Sequence, residues 1–200
     1  MNVALHRELE FFAGFYIPAF PDRTLQSNRY RVSVYFVTTT DDFYEVNVAM
    51  DRVRVMIDRE FSQSVFVCDR HRDAAAALKD LGADITLLPE EPLDQVIGIM
   101  LYCKLTAVME QRMEITQLDL ASDAGDNVWY QHYQDDAQGP FAADGWWNQP
   151  GPGRGSVMLE QPQIVPAGAG SWEPYGLTWA STAAAPTATV VYGKFGSDES

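Results

Sequence analysis

Hydrophobic positions recur along the first 138 residues with two different periods, and the switches between them mark out elements. Residues 30–37 alternate apolar and polar side chains and are rich in β-branched and aromatic types, the pattern of a strand with one buried face. Residues 10–17 repeat it more weakly, and residues 18–28, with two prolines, Ser27 and Asn28, predict the connection between them. From residue 43 to 61 the period lengthens. Val46, Ala49, Met50, Val53, Met56, Ile57 and Phe61 fall at helical spacing, with Asp41 or Asp42 placed to accept the free amides of the first turn.

Residues 64–68 are short and apolar through their middle, as a strand covered on both faces should be. Asp69 is placed to cap a helix over residues 70–81 that Gly82 ends, and residues 83–88 predict another strand. Glu90, Glu91 and Asp94 then sit at the positive end of a helix running from about Pro92 to Gln111. Apolar residues occupy most of its circumference, which predicts the core element of the fold. Residues 113–120 and 127–134 predict a hairpin across the Gly- and Asp-containing turn 122–126. Strands alternating with helices, closed by two strands, predict a single layered α/β domain with a mixed sheet: a parallel centre and an antiparallel edge hairpin.

Past residue 138 this patterning stops. Residues 139–200 hold 10 of the 14 glycines, 7 of the 11 prolines and 4 of the 5 tryptophans, with only 7 charged residues. Such a segment forms no helix of ordinary length, yet its aromatics need burial. The expected division is therefore an α/β domain over 1–138 and an extended C-terminal arm without its own core over 139–200. Trp146 and Trp147, followed by Trp172, Tyr175 and Trp179, are the expected partner-binding residues, because indole and phenol rings dominate interfaces. Residues 187–192 (TATVVY) form a late β-rich run suited to pairing with an exposed strand edge.

Charge narrows the partners. The chain carries −14, and this acidity opposes binding to nucleic-acid phosphates or anionic lipid. No apolar run reaches the roughly 20 residues of a membrane span, and residues 11–20 follow two glutamates rather than the basic flank of a signal peptide. The expectations are no direct nucleic acid, no membrane, a protein partner or self-association, and a cytoplasmic location or one within an intracellularly assembled particle. Cys68 and Cys103, both in apolar contexts, read as two separate reduced thiols.

Candidate chemistry collects where strands end and helices begin, at residues 38–42, 68–73 and 89–94. The run Cys68-Asp69-Arg70-His71-Arg72-Asp73 is the richest. Asp69 and His71 are candidates for an acid/base pair, with His132 as a third catalytic candidate and Cys68 as a candidate nucleophile at a helix start. The competing reading of the same run is an aspartate cap followed by a solvated first turn. No phosphate loop, dinucleotide fingerprint, nucleophile elbow or paired metal-ligand spacing is present, so no metal and no cofactor are expected. The expected function is a non-enzymatic structural or interaction subunit of a larger assembly, binding neighbours through the arm. The alternatives are a small-molecule or metal-dependent hydrolase at the cleft near Asp69 and His71, and an acidic inhibitor of a basic or nucleic-acid-handling protein.

Overall fold

The computed structural model describes residues 3–20, 24–157, 164–165 and 170–179. The β-rich run 187–192 lies outside the described residues.

A long hairpin forms the middle of the sheet. Strands β1 (Ala4–Tyr16) and β2 (Leu25–Thr38) pair antiparallel from Ala4↔Val37 to Tyr16↔Leu25, so both reach well beyond the strands predicted from their central residues. Alternation explains which face is buried: Phe11, Ala13 and Phe15 on β1 and Tyr30, Val32, Val34 and Phe36 on β2 all point inward. On one flank β5 (Met113–Ser122) pairs antiparallel with β2, and β6 (Tyr130–Tyr133) forms the outer edge, giving the predicted hairpin. On the other flank β3 (Ser64–Cys68) runs parallel to the end of β1, and β4 (Asp84–Leu88) runs parallel to β3. The order is β4-β3-β1-β2-β5-β6, a six-stranded mixed sheet within an α/β domain. The parallel pairs thus run from the β4 edge inward to β1.

Among the described residues, three α-helices cover it. α1 (Phe43–Val55) starts where Asp42 accepts the Tyr44 amide at 2.8 Å, and it passes into a π-helical turn, Met56–Phe61. α2 (Arg72–Asp80) ends at Gly82, whose φ of 90° is the left-handed backbone that glycine adopts without strain. Asp69 does not cap α2. A 3-10 turn, Asp69–His71, intervenes, and the residue before α2 is His71, with no side-chain cap bond. α3 (Asp94–Met109) is buried nearly all round, as its composition predicts. Phe66 of β3 packs into the main core with α1 and α3, while Val67 joins a second cluster with Ala75 of α2. Both faces of β3 are therefore covered, which accounts for its unbroken apolar run.

The described part of residues 139–179 is spread over this body. Phe141, Trp146 and Trp172 belong to the main core. The Trp146 indole N–H donates to the Leu87 carbonyl (3.0 Å), and the Leu87 amide donates to the Gly155 carbonyl (3.2 Å). Lys104, in the middle of α3 and fully buried, donates to the carbonyls of Trp146 (3.1 Å), Gln149 (2.9 Å) and Gly151 (2.7 Å). Burial pushes its ammonium down to about 7, against the pull of Glu60. Arg154 binds Asp84, Thr86 and the Glu60 carbonyl, and the Tyr175 hydroxyl donates to Glu60 at 2.8 Å.

Candidate metal centre

The parallel pairing of β3 with β4 brings two loops together at the carboxyl ends of those strands. Cys68 closes β3, His71 ends the 3-10 turn after it, and Glu91 lies in the loop between β4 and α3. One donor atom from each, a thiol sulfur, an imidazole nitrogen and a carboxylate oxygen, falls within 4.8 Å of the other two. His71 Nε2 and Glu91 Oε1 are 2.8 Å apart. The second Glu91 oxygen is buried and has no partner among the described residues. Because a buried carboxylate oxygen loses its water on folding, leaving it unpaired is costly, and such an atom is a natural place for a ligand.

Arg70 stands at the mouth of the cluster. Its Nε donates to Cys68 Sγ at 3.4 Å, and its terminal nitrogen reaches Glu90 (3.1 Å) and Glu91 (3.5 Å). These contacts hold the Arg70 guanidinium above its usual range, chiefly through the hydrogen bond to Cys68. Cys68 is fully buried, whereas the His71 and Glu91 side chains keep about a quarter of their surface, 27% and 28%, so the cluster is open on one side. A shallow cavity of about 380 Å³ lies over that side, bounded by Tyr16 and residues 69–74. The Tyr16 and His71 rings meet edge to face there, 5.8 Å apart.

The other sequence candidates fall elsewhere. Asp69 is next in the chain to Cys68, but its own contacts are with Arg72, 4.0 Å from the carboxylate and 3.2 Å from the backbone carbonyl. His132 lies on β6, four strand spacings from β3 across the sheet, roughly 19 Å at about 4.8 Å each. It does not converge with Asp69 and His71. Its ring is buried against Gly98 of α3, its Nε2 has no partner among the described residues, and burial lowers its pKa despite Asp136 and Asp119. The aromatic candidates face their own chain. Trp146 and Trp172 are buried, Trp147 donates to the Phe141 carbonyl, and Trp179 stacks 3.7 Å from the Arg52 guanidinium. Cys68 and Cys103 are both free, and burial pushes the Cys103 thiol up to about 11.

No protein-family model matches this sequence, and no curated protein is detectably similar to it. Solved structures resemble its backbone. An uncharacterized protein from Wolinella succinogenes matches with a TM-score of 0.48 and 11% identity, over 68% of this chain and 99% of that one. The 6-pyruvoyl tetrahydropterin synthases of Plasmodium vivax (TM-score 0.45, 12% identity, 68% and 99% covered) and Caenorhabditis elegans (0.44, 10%, 68% and 97%) are similar to the same extent. The expectation of a non-enzymatic subunit that binds neighbours through its C-terminal arm is corrected, because the arm's tryptophans pack on the chain's own body. Trp146 donates to the Leu87 carbonyl, Trp147 packs against the main core, Trp172 lies within that core over the Arg52 guanidinium, and Trp179 stacks on the same guanidinium. No helix among the described residues is long and apolar enough to cross a membrane.

Proposed function

We propose that this chain is a metal-dependent enzyme acting on a small polar molecule, with Cys68, His71 and Glu91 holding one divalent cation of the zinc type. The observation that carries the reading is the meeting of a sulfur, a nitrogen and an oxygen donor from two strand-end segments within 4.8 Å. One thiolate, one imidazole and one carboxylate suit zinc, whose catalytic sites use three protein ligands and leave a fourth position open. Donors bound at about 2.0–2.3 Å lie on the order of 3.5 Å apart, so closure requires only that His71 and Glu91 part slightly and Cys68 approach. The buried, unpartnered oxygen of Glu91 gives the carboxylate a reason to turn inward. A cation here supplies Lewis acidity to a water or carbonyl in the adjoining cavity. Arg70, released from Cys68 as the metal takes the sulfur, is placed to receive an anionic group.

The test is cobalt substitution. The full chain, titrated with Co(II), should develop an intense near-ultraviolet thiolate-to-cobalt band at one equivalent, displaced by zinc. Cys68→Ser should abolish the band and Glu91→Gln should weaken cobalt affinity by about tenfold or more. Folded wild-type protein that takes up less than one equivalent, or takes it up without a thiolate band, overturns the proposal.

A further inference from the structure

A second cavity opens on the far side of Asp69, and the metal reading makes no use of it. It measures about 170 Å³ and lies between residues 87–89 at the end of β4, Asp69, and residues 144–147. That is below the roughly 300 Å³ at which sites for drug-sized molecules begin, so it admits a small head group rather than a whole ligand.

Its walls offer one kind of chemistry. The indoles of Trp146 and Trp147 meet at 72° with centroids 6.0 Å apart, forming an aromatic corner. Both indole N–H groups are already committed, Trp146 to the Leu87 carbonyl and Trp147 to the carbonyls of Phe141 (2.9 Å) and Ala143 (3.1 Å). The rings therefore present π surface and no donor. Pro89 has no amide hydrogen, and the Gly145 amide donates to Asn148 Oδ1 at 3.1 Å. The two charged lining residues, Asp69 and Asp144, are carboxylates. Of the cations close by, Lys104 is held by three carbonyls and Arg72 lies 4.0 Å from Asp69. A site that combines aromatic faces with carboxylates, and whose indole N–H groups are both committed elsewhere, is complementary to a positively charged group.

We propose that this cavity binds the head of an organic ammonium cation, with Trp147 and Trp146 as its aromatic walls and Asp144 and Asp69 as its counter-charges. Trp147 supplies most of the accessible ring surface, since Trp146 keeps only 2% of its own. The geometry also restricts the approach: the Trp147 ring lies so close over Gly145 that a Cβ there would overlap it, which fixes the ring against the backbone. The inference stands independently of the metal site.

Choline and its neutral isostere 3,3-dimethyl-1-butanol, titrated into the full chain and followed by tryptophan fluorescence, test it directly. Choline should bind saturably and about tenfold or more tightly than the alcohol, the difference that a cation–π contact and a carboxylate together supply. Asp144 is exposed, so Asp144→Asn should keep the fold, verified by an unchanged urea midpoint, and lose most of that preference. Trp147→Leu should weaken choline further, and Cys68→Ser should leave choline binding as it is. Equal affinity for the two probes, an unaffected Asp144→Asn variant, or no saturable response to choline overturns the proposal.

Discussion

Lys104 has no exposed surface, and its charge is balanced by dipoles rather than by a paired carboxylate: three carbonyls accept from it, with Glu60 acting from further off. Burial holds its folded pKa at about 7, below the 10.5 of an unfolded chain. Between those values the unfolded chain binds the extra proton, so this residue makes stability rise with pH from about 7 upward. His132 acts in the same direction lower down. Its folded pKa is depressed below 6.5, so stability is lost as pH falls through the unfolded value and the buried ring must charge. Urea midpoints of wild type and Lys104→Met, compared at about pH 7 and about pH 9.5, should show the wild type gaining relative to the variant at the higher pH. A difference that is flat or reversed rejects the assignment to Lys104. At this scale the sequence revealed residue types better than their company. The apolar circumference of α3 predicted a core helix, but it did not single out Lys104 as a buried amine. Cys68 and His71 were visible as strand-end chemistry, but Glu91 read as a helix-start acid. Its pairing with His71 depends on β3 and β4 lying side by side, which no local pattern encodes.

The packing of α3 on β6 gives an element-level test, because these two elements touch through a position where one residue has no side chain. A Cβ on Gly98 would overlap the His132 imidazole, 2.7 Å from Cδ2. Gly98→Ala should therefore destabilise the protein by about 1–3 kcal/mol through overpacking, although alanine is the better helix former by about 1 kcal/mol. In the background of His132→Ala the same substitution should become neutral or stabilising, a coupling that urea melts of the four proteins would measure. Additive effects would show that the helix and strand are not in the contact described. Element existence was largely readable. The core helix, the strand covered on both faces and the closing hairpin rest on apolar runs and Gly–Asp turns that act locally. The first half of β1 was not readable, because Arg7 interrupts the apolar face that Leu5, Leu9 and Phe11 otherwise keep. Its partner β2 overrides that weak local signal through a register of thirteen residue pairs. The cap of α2 was misplaced because a 3-10 turn, Asp69–His71, comes between β3 and the helix.

For the whole molecule, the composition break near residue 139 raises the question of whether residues 1–138 can stand alone. Their patterning forms a complete sheet with three helices, yet the core they enclose is closed only by residues beyond 138. Phe141, Trp146 and Trp172 sit within the main cluster, Trp146 6.2 Å from the Phe61 ring and Trp172 over the Arg52 guanidinium at 4.9 Å. Losing a buried aromatic side chain costs about 3–5 kcal/mol, and three of them approach or exceed the roughly 5–15 kcal/mol that holds a typical domain together. Removal would also strip Lys104 of all three carbonyl acceptors, each of which lies beyond residue 138. A chain ending at residue 138 should therefore lose its cooperative urea transition and bind a hydrophobic dye such as ANS in native buffer. Lys104→Met in the full chain should soften this test into a graded one: the amine goes, the tryptophans remain, and a cooperative transition at a lower midpoint is expected. If the truncated chain instead unfolds cooperatively at the wild-type midpoint, the aromatic residues after 138 lie on the body without contributing to its stability, and the separation read from composition is a separation in folding as well.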